Sequence, residues 1–236
     1  MPRRLKSGVL EAFCKFTEGT EVPAAFAVWS GMITIAAALG RDCFVDYGYY
    51  TLYPNMYIVL IGPSAVAKKS TPIKFAMRMI KQIKPTVNVL SQKMTPEALI
   101  SALSGLDAKE GDTMIVPSAV GVVLVSELAT LVNKGSFKSG MIDVLTDLYD
   151  AEDFEYRTKI RGIEYVRNPC LSIIGGATPI GIKECIPFVS IGGGFTSRIV
   201  FVFSKGSGRL VPRPVRSLEN KKRMDDICHD LSEVSK

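Results

Sequence analysis

The stretch from residue 56 to residue 71 limits the fold more than any other. Residues 56–61 (MYIVLI) are an uninterrupted apolar run of strand length. Residues 62–71 (GPSAVAKKST) follow as a loop of small residues closing on two lysines and two hydroxyls, and a helical pattern then covers 72–83. A strand with no polar face must be covered on both sides, which is the condition of a strand inside a parallel sheet. The chain is thereby committed to packed layers of helix and sheet.

Four more runs of the same kind occur at 86–90, 122–125, 170–174 and 199–203. Helical patterns separate them, including one that starts at Thr95 as a cap with Pro96 and Glu97 in its first turn, and another at 141–149. Strand and helix alternate, so the expected class is α/β, with three layers around five buried parallel strands. Residues 1–50 read as a helical preface, with a short extended or hairpin segment rich in Tyr and Val at 43–51 leading into the core. Residues 51–205 read as the core, and 206–236 as a linker followed by a helix starting at Ser217. Residues 24–40 are uncharged and nearly long enough to cross a bilayer, but they are rich in Ala, which favours a buried helix. An amphipathic stretch at 5–16 precedes that run, unlike a signal peptide. No membrane partner is expected.

Composition then removes whole classes of chemistry. With 236 residues the chain can bury one principal core. Five cysteines, widely spaced and mostly set among apolar residues, suit buried thiols in a reducing cytosol, and a cytoplasmic location in a bacterium or a phage-infected host is the expectation. His229 is the sole histidine and there is no CxxC pair, so zinc sites and His-based triads lack their ligands or base. A net charge of +6 favours an acidic partner mildly.

The loop at 62–71 matches the chemistry of phosphate binding. Backbone N–H groups at a helix N-terminus face phosphate oxygens, a Lys neutralises the β and γ phosphates, and a hydroxyl ligates Mg²⁺. Lys69 with Ser70 supplies the last two, with Gly62, Ser64, Ala67, Lys68 and Thr71 completing the loop. Two departures stand out: Ala65 and Ala67 occupy places where Gly is usual, and the spacing from Gly62 to Lys69 is one residue long. Taking Lys68 as the catalytic lysine restores the spacing but puts Lys69 where the hydroxyl belongs.

A site of this kind needs further groups from neighbouring strands. The run VVLV ends in Ser126 and Glu127, where Glu127 can orient the attacking water and Ser126 stands in the place of the Asp that holds the outer shell of the metal. The run at 170–174 leads through Gly175 and Gly176 to Thr178, at the carboxyl edge of the sheet, as a γ-phosphate sensor. Arg198 directly precedes the last strand and can reach a neighbouring subunit's nucleotide as a finger in trans.

In order and spacing, GPSAVAKKST, LVSEL, FEYRTKIRGIEYVR, IIGGATP and GFTSRIVFVF resemble the AAA+ ATPases of the minichromosome-maintenance helicase type. They are closer still to the helicase-like ATPases of phages, plasmids and integrated elements, over residues 25–205. The resemblance implies ATP and Mg²⁺ as ligands, a hexameric ring and movement along single-stranded or forked DNA in replication. It also implies that the strand at 122–125 lies beside that at 170–174, with the P-loop strand on the far side of the latter. The alternating segment 154–167 reads as a hairpin turning at Gly162. The resemblance places such a hairpin in a central channel, with Arg157, Lys159 and Arg161 on phosphates and Tyr156 on bases. The alternatives are a nucleotide-binding DNA module with little turnover, and a RecA-like ring ATPase.

Overall fold

A computed structural model of the chain describes residues 3–90, 92–104, 119–132, 135, 139–158, 162–186, 194–215 and 217–235. Two helices open it, α1 (Val9–Thr17) and α2 (Ala24–Leu39), followed by a ribbon of two-residue strands, β1 (Val45–Asp46) and β2 (Thr51–Leu52). The alternating part comprises β3 (Tyr57–Ile61), α3 (Ser70–Ile80), α4 (Pro96–Ser104), β4 (Val120–Val125) and α5 (Met141–Tyr149). It continues through the hairpin β5 (Phe154–Thr158) and β6 (Gly162–Val166), then β7 (Cys170–Ala177), α6 (Pro179–Cys185), α7 (Gly194–Ser197) and β8 (Ile199–Phe203). The last helix is α8 (Leu218–Val234), capped by the Ser217 hydroxyl.

The central sheet has four parallel strands in the order β4-β7-β3-β8, so β7 lies between β4 and β3, the strand that leads into the loop 62–69. The fifth expected strand, 86–90, is reduced to a single parallel bridge between Val89 and Val122. Pro85 has no N–H to offer a ladder, and the contacts are confined to the Leu90 N–H on the Val122 carbonyl and the Val122 N–H on the Asn88 carbonyl. In contrast, β7 is longer than the run 170–174. It extends through Gly175 and Gly176 to Ala177 because β3 pairs with all three, while β4 pairs as far as Gly175.

Strand alternation feeds two cores. Ile58, Leu60, Leu124, Ile174 and Val202 face a layer built from α1, α2, α3 and α8. Tyr57, Val59, Val123, Val125, Leu171 and Ile173 face α4, α5 and α6 on the other side. The Ala-rich α2 is the centre of the first layer: Phe26, Ile33 and Thr34 are fully buried, it packs against α1 and α3, and Gly31 lies directly against Leu10 and Phe13 of α1. Among the described residues no helix is long and apolar enough to cross a membrane. Of the five cysteines, all unpaired, Cys170, Cys185 and Cys228 are buried, Cys14 is half-buried and Cys43 is exposed.

Candidate functional site

β3 delivers the chain to the carboxyl edge of the sheet, where the Gly62 N–H donates to the Ala177 carbonyl (3.2 Å). A Cβ on Gly62 would lie 2.5 Å from both the Ala67 Cβ and the Ser204 carbonyl oxygen, so only glycine fits. The loop then folds tightly, with the Val66 N–H on the Ser64 carbonyl (2.7 Å), and Ala65 and Lys68 adopt φ of +62° and +49°. Left-handed conformations at non-glycine residues cost about 1–2 kcal/mol each. The Ala and Lys residues thus keep a glycine-type turn at an energetic penalty.

The two lysines part company. Lys69 curls back across the mouth of the loop, its Nζ donating to the carbonyls of Gly62 (2.7 Å) and Pro63 (3.1 Å). Lys68 leaves the loop and pairs with Glu21 (2.9 Å). Ser70 is the first residue of α3 and Thr71 lies in its first turn, while the Ser64 side chain is exposed. That first turn holds no acidic residue, and with Lys68 matched by Glu21 it is Lys69 that stands at the positive end of the helix dipole, an arrangement that favours an anion beside it. Burial lowers the Lys69 pKa, and the nearby Glu127 carboxylate opposes the shift.

Gly176 explains how the other groups come close. A Cβ there would stand 2.6 Å from the Ser126 carbonyl oxygen and 3.3 Å from the Lys69 Cβ, so the missing side chain lets the end of β4 and the lysine meet across β7. Ser126 and Glu127 are exposed at that end, before the 3-10 turn Leu128–Thr130. Thr178 follows Ala177, whose carbonyl takes the Gly62 N–H; its Oγ1 accepts the Gly181 N–H (2.9 Å) as the cap of α6. Lys69, Ser126, Glu127 and Thr178 thus gather at one edge from three strands. The donors at hand for a divalent cation are the hydroxyls of Ser70 and Ser126 and the Glu127 carboxylate. All are hard oxygens, a set that fits Mg²⁺ carried in largely by phosphates and water. Among the described residues no group of three or more His, Cys, Asp or Glu side chains could hold a metal by itself. Sequence reading passed over Gly176, although a glycine pair ending an apolar strand is a signal of close backbone approach.

A cavity of about 540 Å³ opens beside the loop, lined by Lys68 and Thr71 together with Phe16, Val22, Phe75 and Val211. Phe16 and Phe75 meet edge to face at 5.1 Å. Glu21 closes one side, taking Lys68 on Oε2 and the Val211 N–H on Oε1 (3.0 Å); these two contacts, the lysine first, lower its pKa. Arg209 ties the following linker down by donating to the carbonyls of Glu18 (3.1 Å) and Val22 (2.8 Å). No motif announced this cavity, because its walls come from segments far apart in sequence.

Arg198 sits at the opposite edge. The register pairs Tyr57 with Ile199, and five residues of strand, about 16 Å, separate that level from the chain's own loop. Its guanidinium is held by Asp150, Nε at 2.9 Å and Nη2 at 2.7 and 2.6 Å, with Nη1 donating to the Gly194 carbonyl (2.9 Å). The Asp150 hydrogen bond, outweighing burial, raises the Arg198 pKa further.

The expected hairpin is present, with Gly162 at φ +77°, but Lys159 and Arg161 lie outside the described residues. Arg157 is exposed and pairs loosely with Glu155 (3.4 Å). Tyr156 faces the other way: it is half-buried against the second core, and burial, with Glu97 and Glu164 beside it, raises its pKa. The aromatic on the outer face is Tyr165, half-exposed, with the Arg167 guanidinium 5.9 Å from its ring centre. Successive strand residues point to opposite faces, so Tyr156 and Arg157 could not both serve one surface. Strand parity was the signal that would have selected Tyr165.

Compared with known proteins, the chain matches no family model and no curated protein.

Proposed function

We propose that the chain is a P-loop ATPase of AAA+ type that binds ATP with Mg²⁺ at the carboxyl edge of its sheet, hydrolyses it, and works as a ring on DNA. The observation that carries the reading is Lys69 folded across the mouth of the loop, with Glu127 facing it and no acidic residue in the first turn of α3. A half-buried cation at a helix N-terminus, hydrogen-bonded only to loop carbonyls, gains most from a polyphosphate. The position of β7 between β3 and β4 agrees with the sheet order of the family that the sequence resembles. The adjacent cavity has room for a nucleoside and offers aromatic walls for a base.

In this reading the Lys69 ammonium leaves the Gly62 and Pro63 carbonyls for the β and γ phosphates. The N–H groups of the first turn of α3 face the phosphate oxygens, and the hydroxyls of Ser70 and Ser126 would hold the Mg²⁺, which would neutralise phosphate charge. Glu127 orients and polarises the attacking water, and Thr178 donates its hydroxyl proton toward the γ phosphate while its oxygen still caps α6. Arg198 lies too far from its own loop to serve it, so its charge acts on a neighbour's nucleotide.

A second reading, nucleotide binding with little turnover, draws on Ser126 standing in place of an Asp and on the Asp150 clamp that occupies Arg198. Phosphate release from ATP, with and without Mg²⁺ and single-stranded DNA, alongside equilibrium binding of a fluorescent ATP analogue, decides. Mg²⁺-dependent release stimulated by DNA is the expected result. Binding without release supports the second reading, and no binding overturns both.

A further inference from the structure

The ribbon β1-β2 has no role inside the fold that matches its composition. Phe44, Val45, Tyr47, Tyr49, Tyr50 and Leu52 are each at least 50% exposed, and Tyr49 is fully so. Two strands of two residues do not hold themselves together in water. This ribbon is nonetheless ordered: Tyr47 stacks on Tyr50 at 5.2 Å, and the Tyr47 N–H donates to the Tyr50 carbonyl. Its base is anchored by Arg41, whose guanidinium lies 4.0 Å from the centre of the Tyr53 ring and donates to the carbonyls of Ala151 (2.8 Å) and Pro169 (2.7 Å). Large aromatics held rigid and left uncovered are what protein interfaces place at their centres.

The charge of the ribbon selects the occupant. From residue 42 to residue 67 the sequence has two acidic side chains, Asp42 and Asp46, and no Lys, Arg or His, within a chain of net charge +6. Nucleic-acid surfaces need cations along the backbone path, and the ribbon has none. A basic protein surface suits it, and this chain provides one. The Arg41 anchor ends on Ala151, next to Asp150 and Arg198, so the ribbon and Arg198 share the amino edge of the sheet. At the carboxyl edge, beside the phosphate loop, Val66 and Phe203 are 60% and 57% exposed, and Lys205 stands exposed next to them. Apolar patches on opposite edges, one flanked by Asp42 and Asp46 and the other by Lys205, are the elements of a heterologous contact, which propagates into a ring or a filament.

We propose that the ribbon 44–52 docks a second copy of this chain head to tail, seated on the carboxyl edge around Val66 and Phe203. The contact itself follows from the two patches; that it carries Arg198 to the neighbour's nucleotide rests on the ATPase reading.

Sedimentation velocity over a concentration series, with and without ATP and Mg²⁺, tests it. The unaltered chain is expected to associate, and Tyr49→Ser, at a side chain fully open to solvent, is expected to weaken association several-fold with unchanged thermal unfolding. The triple change Tyr47→Ser, Tyr49→Ser, Tyr50→Ser is expected to weaken it at least tenfold. In a Cys43→Ser background, copies carrying Tyr49→Cys should form disulfides with copies carrying Val66→Cys, and much less with their own kind. A chain that stays monomeric throughout, variants that associate as well as the parent, or cross-links between like copies only, overturns the proposal. So does a triple variant that keeps association but loses binding to an unstructured oligonucleotide. Loss of nucleotide binding in the unaltered chain, with ribbon-dependent association intact, would remove the ATPase reading and leave the contact standing.

Discussion

The two edges of the sheet are finished in opposite ways. At the carboxyl edge, glycines at 62 and 176 allow backbone and lysine to approach one another closely, and Lys69 lies half-buried across the loop beside the exposed Ser126 and Glu127. At the amino edge the aromatic ribbon stands in solvent, and Arg198 is already matched by a carboxylate. A lysine held at a helix N-terminus suits an anion, whereas an open aromatic edge suits another macromolecule. The difference also separates the two edges: at one, Lys69 is hydrogen-bonded to loop carbonyls, and at the other the aromatics are uncovered.

The comparison breaks most sharply at Glu127. On the ATPase reading, Glu127→Gln keeps the shape at the end of β4 but removes the charge proposed to polarise water, so turnover should fall about 10²–10⁴-fold while ATP binding persists. Single-turnover hydrolysis beside equilibrium binding measures both. Unchanged turnover would separate β4 from the chemistry of that edge.

Next in size is the contrast between the two lysines. Lys69→Ala should weaken ATP binding about 10–100-fold, the loss of one or two charge-assisted contacts, whereas Lys68→Ala should change it less than about threefold because Lys68 is spent on Glu21. A larger loss from Lys68→Ala would reverse the assignment. Because burial lowers the Lys69 pKa in the empty chain, its positive charge disappears on the alkaline side before the ordinary value of about 10.4. Affinity should therefore decline as pH rises through that lowered pKa, and binding there should take up protons. Calorimetry in buffers of different ionisation enthalpy reads this directly.

Gly176→Ala should act on stability before chemistry. Its Cβ would meet the Ser126 carbonyl at 2.6 Å, and backbone rather than a flexible side chain would have to move. Overpacking of this kind costs about 1–3 kcal/mol. Denaturant unfolding should show that loss, and the surviving folded protein should bind ATP less well, since the same shift displaces Lys69.

Local chemistry made part of this legible in sequence. The run 56–61, the capping Thr95, the helix 141–149 and the start of α8 at Ser217 all follow from apolar period and cap residues, and the structure repeats them within a residue. The strand at 86–90 failed because pairing depends on what the neighbour offers: only Val122 meets it. The helix expected over 72–83 begins two residues earlier, since Pro72 is tolerated in a first turn, and ends at Ile80. At the site, the residue types of the loop were readable, but which lysine turns inward depends on Glu21, some 47 positions away in sequence. The cavity and the Asp150 clamp were invisible for the same reason, being assembled from segments that no spacing rule connects.

The smallest expected effect is on the β5-β6 hairpin, which belongs to neither edge. Its outer face carries Arg157 beside Ile163 and Glu155 beside Tyr165, by register, while Tyr156 is turned toward α4 and the core. If single-stranded DNA lies on that face, Arg157→Ala should remove one phosphate contact, reducing the salt dependence of binding by about 0.7 in slope. Tyr165→Ala should remove one stacked base, about 1–3 kcal/mol, without altering that slope. Tyr156→Phe keeps the ring in the core and removes only the hydroxyl, so DNA affinity should be untouched. Fluorescence anisotropy of an unstructured oligonucleotide over a salt series separates the three. A loss on Tyr156→Phe with none on Tyr165→Ala would mean that the inner face of the hairpin is the one that meets DNA, and hence that the hairpin must peel away from α4 to do so.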